Sequence, residues 1–513
     1  MSEDIRHHGD PGQSALGRHV RGSSLLLLGR MASKVVNFAV QVAIVRLLTK
    51  DDYGAFAYGL ALALAGELVV KFGLGRGANR YVPYYAERGE HAKVIGTLAL
   101  VGSVIVTLGT VCFGILWWGS GRGWSGFPTG EGARVVLILS LLAPIQALDT
   151  ICIQTLACYS RPRAIFFRKH VLGPGLRAAA VLSVFLLGGD SEALAIAYLA
   201  GGVAGILVSL HLTRNELRAH GVLPLPLRQW RVPWRPLFRF SFPLLSSDLV
   251  FIVMTGITTV LLMMTDGEAG VASMRAVVPA AALNTLVAQS FGLLFMPMIM
   301  RARARGDFDG FRAQHWQSAA WVSVLTFPIF ALTFGIAPDL VPGLLGPEYV
   351  ESASLLALLA AGHYLSVSMG FTSEMLQALG RTRAIVSTDF AMILVGLGVA
   401  LFLCPQQGAL GAAIAVTSAR LVGALGRQII LLRRPEMGRI PRSQLLVWGK
   451  VLLATAFVTA FGWIWQPPLL AQLLVLASVS LLLLRSTARS LDLARAFPEL
   501  LRIPLFARVA GAS

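Results

Sequence analysis

The sequence predicts an all-α, polytopic membrane protein with about fourteen transmembrane helices. Three observations indicate this fold class. Of the 513 residues, 55% are hydrophobic and 14% are charged, whereas a soluble domain carries about 25% charged residues. Apolar runs recur along the whole chain, and each is long enough to cross about 30 Å of hydrocarbon. The short segments between these runs alternate between cation-rich and cation-poor, as in helical membrane proteins.

The apolar runs define the predicted helices one by one. In chain order the fourteen spans cover 22–47, 55–75, 94–118, 133–157, 170–188, 193–212, 238–264, 272–299, 316–337, 352–379, 384–403, 409–432, 444–465 and 468–485. We expect the first run to be a span and not a cleavable signal. It is longer than the apolar region of a signal peptide, it contains Arg30 and Lys34, and no small-residue cleavage site follows it.

The distribution of arginine and lysine predicts the orientation. Cation-rich segments follow every even-numbered span and flank both termini, whereas TKDDYG, GGDSEA, TDGEAG and CPQQG on the other side are poor in cations. Because cations stay on the cytoplasmic side during insertion, both termini are predicted to be cytoplasmic. A count of thirteen spans would place arginine clusters outside. The net charge of +18 therefore reflects topology, and we expect no nucleic-acid partner.

An internal repeat predicts two related lobes. QTLACYSRPRAI (154–165) matches EMLQALGRTRAI (374–385) at an offset of 220, and RLLTKDDYGAF (46–56) matches LMMTDGEAGVA (262–272) more weakly at an offset of 216. A repeat of six helices predicts a pseudo-two-fold axis along the membrane normal, with a site between the lobes. The predicted regions are a tail (1–21), an N-lobe (22–212), a linker (213–237), a C-lobe (238–432), helices 13 and 14 with the preceding loop (433–485) and a second tail (486–513).

The first span carries an unusual polar face. Arg30, Lys34, Asn37 and Gln41 are spaced by 4, 3 and 4 residues, so they share one side of a helix. Lys34 lies roughly 18 Å into the span, near the midplane, at a rise of 1.5 Å per residue. A cation there costs about 2.5–3.5 kcal/mol on insertion scales. We interpret this face as the cationic wall of a water-filled cavity, and the alternative is an ion pair inside the helix bundle.

The second span offers a partner for that alternative. Glu67 and Lys71 are four residues apart, in the order that favours a pair on a helix. Either these two side chains pair with each other and leave the cations of the first span free, or Glu67 pairs with Lys34. The sequence leaves both arrangements open.

Other polar residues interrupt later spans, and membrane-embedded ionisable groups usually face a cavity or a partner. Arg275, Asn284, Gln289 and Arg420 are further candidates for the cavity wall. Candidates for ion coupling or gating are Glu67, Lys71, Asp149, Asp248, His363 and Glu374. For Asp149, Asp248 and Glu374, which lie in spans four, seven and ten, structural hydrogen bonding is the favoured alternative. Arg177 and Lys450 lie near cytoplasmic span ends.

Motifs for catalysis or metal binding are weak. The cysteines have no metal-ligand spacing and are expected to be small core hydrophobes; they are Cys112, Cys152, Cys158 and Cys404. Asp307 and Asp309 form a D-x-D pair without a nucleotide-binding domain. GLGRGANR (73–80) follows a membrane helix and not a strand, so it predicts a tight turn at a helix end and not a phosphate loop. We therefore predict no catalytic residues, metal or cofactor.

Several segments resemble one family. AIVRLLTKDDYGAFA (43–57), GLGRG (73–77), LLGPEYVESASLLALLA (344–360) and QALGRTR (377–383) are similar to the corresponding parts of Wzx-type polysaccharide flippases. That family belongs to the MOP exporter superfamily, with the MurJ lipid II flippases and the MATE drug exporters as relatives. The resemblance implies fourteen helices in two six-helix lobes plus two C-terminal helices, with a central cationic cavity.

The resemblance also implies a function. The substrate would be an undecaprenyl-pyrophosphate-linked oligosaccharide, moved across the bacterial inner membrane by alternating access for exopolysaccharide, capsule or O-antigen synthesis. The implied partners are membrane lipid, a polysaccharide polymerase and a chain-length regulator, and the chain would be a monomer. Arg30 and Lys34 lie where related flippases carry first-helix cations, whereas not every cavity arginine of MurJ has an obvious equivalent here.

Two alternatives remain. A MATE-like small-molecule exporter would favour an anionic cavity, because its substrates are usually cationic, and Arg30 and Lys34 argue against it. A membrane polysaccharide polymerase or ligase would usually carry a long outer loop with catalytic acids or histidines. The predicted outer loops are short, although APDLVPGLLGPEYVES contains Asp339 and Glu348.

Overall fold

The structure is a computed structural model that describes residues 11–124, 126–159, 161–242 and 245–491. These ranges are helical and contain no strand, so the predicted all-α fold class is confirmed. The helices are α1 Pro11–Leu47, α2 Lys50–Lys71, α3 Leu74–Glu87, α4 His91–Ser120, α5 Gly130–Ser140, α6 Leu142–Cys158, α7 Pro162–Phe166, α8 Gly173–Leu187, α9 Ser191–Ala219, α10 Trp234–Ser241, α11 Leu245–Phe251, α12 Thr258–Ala282, α13 Leu286–Ala304, α14 Phe308–Phe334, α15 Ala337–Leu345, α16 Ser352–Ser368, α17 Thr372–Ala378, α18 Thr382–Leu432, α19 Arg442–Trp465 and α20 Leu469–Leu491.

The candidate membrane segments match the predicted spans from the second to the fourteenth. Within the described ranges, eleven helical segments are long and apolar enough to cross a membrane. Two of them are interrupted by a non-helical glycine: Gly267 (φ 65°, ψ −160°) and Gly408 (φ 51°, ψ −126°). Both conformations lie in a region that residues with a Cβ rarely adopt, so glycine ends one span and starts the next. Counting each of these two segments twice gives thirteen within the described part of the chain, whereas α1, which covers the first predicted span, is not among the eleven.

The turn at Gly408 is held by a side chain from another helix. The backbone N–H of Ala409 donates to Oδ2 of Asp266 at 2.8 Å. A carboxylate at the start of a helix satisfies an unpaired N–H and interacts favourably with the helix dipole. Asp266 thus fixes the turn within α18 to the neighbouring turn at Gly267.

We expect Asp266→Ala to lower the free energy of unfolding by about 1 kcal/mol, because it removes this cap. Asp266→Asn retains an oxygen that can accept from Ala409 and should lose less. Thermal unfolding of the purified protein in detergent measures both changes. Equal melting temperatures for the alanine variant and the wild type would show that the cap contributes no stability.

A turn ends α2, as predicted for GLGRGANR. Phe72 and Gly73 both have positive φ, at 45° and 69°. The following segment, expected to be a loop, is the amphipathic helix α3. Leu74 and Val82 lie on its buried face, with 0% and 2% exposure. The arginines of this segment interrupt its apolar residues, so a search for long apolar runs does not detect this amphipathic helix.

The proline- and arginine-rich segment near the middle of the chain is packed and not extended. Val222 and Leu237 are fully buried. The N–H of Arg231 donates to the carbonyl of Ala92 at 3.1 Å. A Cβ on Gly96 would lie 2.1 Å from the Arg231 carbonyl oxygen, so only glycine permits this approach.

The described chain divides into two compact units. The first takes its residues from 1–47, 62–123 and 129–245, and the second from 48–61, 124–128 and 246–513. The core of the second unit is built from α14, α16, α19 and α20, around the fully buried Phe327 and the stacked rings of Phe330 and Tyr364. The domain boundaries drawn from the sequence stay predictions.

The sequence repeat has the same local geometry in each unit. The N–H of Arg161 donates to the carbonyl of Leu156 at 3.2 Å, and the N–H of Arg381 donates to the carbonyl of Leu376 at 2.8 Å. Both pairs are separated by the predicted offset of 220. Both leucines are fully buried, so each repeat ends a helix with the same hydrogen-bonded turn under a buried leucine.

Candidate functional site

The first unit contains a cavity of about 430 Å³ between α1, α2, α6, α8 and α9. Its lining combines apolar side chains with cations, acids and amides. The charged residues of the lining are Glu67, Asp149, Arg168, Lys169 and Arg177. Membrane helices place ionisable groups beside such a cavity because water or a ligand can solvate them there.

The polar face of α1 reaches this cavity through Asn37. Its Oδ1 accepts a hydrogen bond from Nη1 of Arg177 at 3.2 Å, and both side chains line the cavity. Arg30, Lys34 and Gln41 are partly exposed on the same helix face but are not part of the lining. The structure therefore brings one of the four predicted residues of this face into the cavity wall.

A π-helical turn at Phe167–Leu172 contributes Arg168 and Lys169 to the cavity wall. Such turns add a residue to the helix and change the direction of its side chains, often at functional sites. The turn connects to α1, since Nδ1 of His170 lies 3.0 Å from Oγ of Ser33. Within it, Arg168 is buried, with 8% exposure, whereas Lys169 is exposed towards the cavity.

Arg168 and Asp149 form a buried ion pair. Nη2 of Arg168 lies 2.9 Å from Oδ2 of Asp149. The hydroxyl of Ser209 donates to the other carboxylate oxygen. Nε of Arg168 donates to the Ser209 hydroxyl at 2.8 Å and to the Gly205 carbonyl at 3.0 Å. Asp149 is thus paired and hydrogen-bonded within the first unit, and its role in coupling stays a prediction.

Glu67 pairs with Lys71, one of the two partners that the sequence left open for it. Its Oε1 lies 2.8 Å from Nζ of Lys71 and also accepts from the hydroxyl of Thr150 at 2.9 Å. Both acids of the cavity lining therefore already have a cation. Lys169 and Arg177 form no ion pair with any described residue, so the cavity presents net positive charge.

The polar candidates of span eight lie in the second unit and are bonded to their own surroundings. Nη2 of Arg275 donates to the Thr255 carbonyl at 2.5 Å and contacts the Thr259 hydroxyl. Asn284 is fully buried and donates to the Thr333 hydroxyl at 3.0 Å. Gln289 is exposed and donates to Thr285, one turn earlier on its helix.

The remaining candidates are spread over α11, α16, α17 and α18. His363 is 7% exposed, and its Nδ1 and the Nε of Arg420 have no hydrogen-bond partner among the described residues. Asp248 is half-buried on α11, and Glu374 is half-buried in the first turn of α17. The structure does not collect these residues into the cavity of the first unit, and their roles stay predictions.

Sequence reasoning missed the cations that line the cavity. Arg168 and Lys169 lie in the cation-rich segment between the predicted spans 133–157 and 170–188, and Arg177 lies near a span end. Short cation-rich segments of this kind indicate topology and not a ligand site. One signal could have found them. Asp149 lies inside span four and needs a partner there, and the first cations after that span are the natural candidates.

Comparison with known protein families gives one result for this chain. The family model described as "Polysaccharide biosynthesis protein" matches residues 43–354, more than half of the chain. No curated protein sequence matches the chain.

Several solved structures are similar to this fold. The lipid II flippase MurJ in an inward closed conformation has a TM-score of 0.70 and 14% identity, covering 91% of this chain and 99% of its own. An inward-facing MATE family multidrug resistance transporter of the MOP superfamily has a TM-score of 0.61 and 17% identity, covering 78% and 94%. A MOP superfamily transporter from Pyrococcus furiosus, described as having a binding pocket of reverse polarity, has a TM-score of 0.55 and 19% identity, covering 84% and 99%. At these identities the likeness shows the fold.

Proposed function

Because the chain belongs to the polysaccharide biosynthesis protein family and has the fold of MOP exporters, we propose that it is a flippase for a lipid-linked oligosaccharide. The resemblance to Wzx-type flippases is thereby confirmed at the level of the family. The proposed substrate is an undecaprenyl-pyrophosphate-linked repeat unit, translocated by alternating access across the bacterial inner membrane. A polymerase and a chain-length regulator are the proposed partners.

The cavity of the first unit is the observation that carries this proposal. A pyrophosphate diester brings negative charge into a low-dielectric site, and Lys169 and Arg177 supply unpaired positive charge there. Two unit charges 4 Å apart attract by about 4 kcal/mol at an effective dielectric constant of 20. Charge-assisted hydrogen bonds from arginine add direction to that attraction.

The rest of the lining suits an oligosaccharide. Asn37, Gln146, Gln154 and Tyr198 offer amide and hydroxyl groups, which sugars accept as hydrogen-bond partners. The lipid tail of the substrate can remain in the surrounding hydrocarbon. A cationic drug, the usual cargo of a MATE exporter, would be repelled by Lys169 and Arg177, so the alternative of a MATE-like exporter is disfavoured.

Loss of the protein tests the function directly. A strain that lacks it should accumulate lipid-linked repeat units on the cytoplasmic leaflet and lose the surface polysaccharide, and the wild-type gene should restore export. Reconstituted vesicles should also move a labelled lipid-linked oligosaccharide between leaflets. Normal surface polysaccharide in the deletion strain would rule out the proposal.

The α1 face gives a prediction of its own. Arg30 and Lys34 share a helix face with Asn37, and we propose that they extend the cationic wall beyond the residues that line the cavity. We expect Arg30→Ala with Lys34→Ala to lower export by at least about tenfold, since a hydrogen bond to a charged group is worth about 1.5–3 kcal/mol. Surface polysaccharide per unit of membrane-inserted protein is the measurement.

Arg46→Ala is the matched control, because Arg46 is an exposed cation in the last turn of the same helix. It should leave export near the wild-type level. If the double alanine variant exports normally, Arg30 and Lys34 do not belong to the cavity wall.

A further inference from the structure

We propose that Asp149 is a resident counter-anion: it aims Arg168 into the cavity and limits how tightly the cavity holds a diphosphate. The inference rests on the proposed function and adds a specificity-determining residue to it. Asp149 would act through Arg168 and is therefore a positioning residue.

One edge of the Arg168 guanidinium is completely fixed by the protein. Nε donates to the Ser209 hydroxyl and the Gly205 carbonyl, and Nη2 pairs with Asp149. Because Ser209 also donates to Asp149, the three side chains close a ring of charge-assisted hydrogen bonds. Such a ring fixes the plane of the guanidinium and therefore the direction of its other edge.

The opposite edge of the guanidinium is left for a ligand. Nη1 of Arg168 has no hydrogen-bond partner among the described residues and lies near Gly173, where a Cβ would sit 3.4 Å away. Arg168 and Gly173 both line the cavity. Arginine N–H groups form charge-assisted hydrogen bonds with phosphate oxygens, so Nη1 is placed to be a donor to the diphosphate.

The backbone of α9 is shaped around this arrangement. A Cβ on Gly205 would lie 2.5 Å from Nη2 of Arg168 and 3.0 Å from its Cζ. Any larger residue would therefore displace the guanidinium from Ser209 and Asp149. By contrast, a Cβ on Gly175 of α8, a glycine that does not line the cavity, would have nothing within 4 Å of it.

The charge of Asp149 has a cost that suits a transporter. A diphosphate bound to Arg168 must share the guanidinium with a carboxylate 2.9 Å from it, and the two anions repel each other. Transport requires binding that is favourable enough for entry and weak enough for exit. Asp149 therefore orients the cation while keeping part of its charge from the substrate.

Titration of inorganic pyrophosphate into the purified full-length protein in detergent tests this inference. Asp149→Asn keeps the shape of the side chain and removes its charge, so pyrophosphate should bind at least about fivefold more tightly. The same variant should transport more slowly at saturating substrate, because release is slower. Unchanged or weaker binding by a folded Asp149→Asn variant would overturn the inference.

A double-mutant cycle separates action through Arg168 from a general change of charge. Arg168→Gln alone should weaken pyrophosphate binding, and adding Asp149→Asn should then give a smaller gain, because only the direct repulsion by the carboxylate is removed. A full gain in the double variant would contradict a role through Arg168. Gly205→Ala should also weaken binding, whereas Gly175→Ala is the matched control and should bind like the wild type.

The remaining outcomes are also decisive. Asp149→Asn leaves the buried Arg168 without its ion-pair partner, and such a variant can fail to fold. In that case Ser209→Ala carries the test, because it frees Nε of Arg168 and should weaken binding severalfold; unchanged binding would overturn the inference. If Lys169→Gln lowers pyrophosphate binding but the Asp149 and Ser209 variants do not alter it, only the inference fails. If the wild type binds no pyrophosphate, the proposed site and the inference fail together.

Discussion

A protein in which Lys169 and Arg177 are both replaced by glutamine is expected to insert and fold normally but to export almost no polysaccharide. Both residues line the cavity of the first unit, and neither forms an ion pair with any described residue. Removing them therefore leaves no buried acid without its partner. The folded protein should lose little stability, in contrast to the loss expected on breaking a buried ion pair.

The size of the effect follows from the charge of the proposed substrate. Each cation can form hydrogen bonds to phosphate worth about 1.5–3 kcal/mol. Loss of both should lower export by more than about a hundredfold, since each 1.4 kcal/mol is a factor of ten. The measurement is transport of a labelled lipid-linked oligosaccharide in vesicles, normalised to inserted protein.

Arg163→Gln is the control for this prediction. Arg163 is an exposed cation a few residues before the π-helical turn and does not line the cavity. Its variant should transport like the wild type. Export that survives in the Lys169 and Arg177 variant would show that the phosphate group binds elsewhere. An equal loss of export in the Arg163 variant would indicate an effect on membrane topology.

The sequence predicted the helices well because their signals are local. A run of about twenty apolar residues must be satisfied internally as a helix in lipid, and the turn at Gly73 follows from residues within one short segment. The repeat could also be predicted, since Arg161 and Arg381 lie in segments whose residues match directly. These features need no knowledge of which helices are neighbours.

The cavity could be predicted only in part, because its wall depends on contacts between distant helices. Asn37 was found from the polar face of one helix. The partner of Asp149 is Arg168, nineteen positions later and beyond a turn, and no helical period connects the two. Arg177 was visible in the sequence, but its contact with Asn37 spans 140 positions. A cation near a span end has the same sequence signature whether it serves topology or a ligand.

The close approach at Gly54 was likewise hidden from the sequence, and it gives the second large prediction. Gly54 lies within TKDDYGAFA, in a stretch that packs into the second unit. A Cβ there would lie 2.1 Å from the carbonyl oxygen of Glu268 and 2.6 Å from its carbonyl carbon. Because both are backbone atoms, no side-chain rotation can relieve the clash, and the helix itself must move.

We expect Gly54→Ala to lower the free energy of unfolding by at least about 3 kcal/mol, at the upper end of the cost of overpacking, and Gly54→Val to abolish the folded protein. Gly398→Ala is the matched control: it is a glycine within α18 with nothing within 4 Å of the added Cβ. That variant should be as stable as the wild type or gain about 0.5–1 kcal/mol, because alanine loses less backbone freedom than glycine in a helix.

Thermal unfolding and the monodisperse fraction in detergent compare the two alanine variants directly. Both variants add one methyl group to a membrane helix, so a loss of stability in the Gly54 variant alone can only come from its contact with the Glu268 backbone. Equal stabilities of the two variants would mean that this contact does not exist in the folded protein.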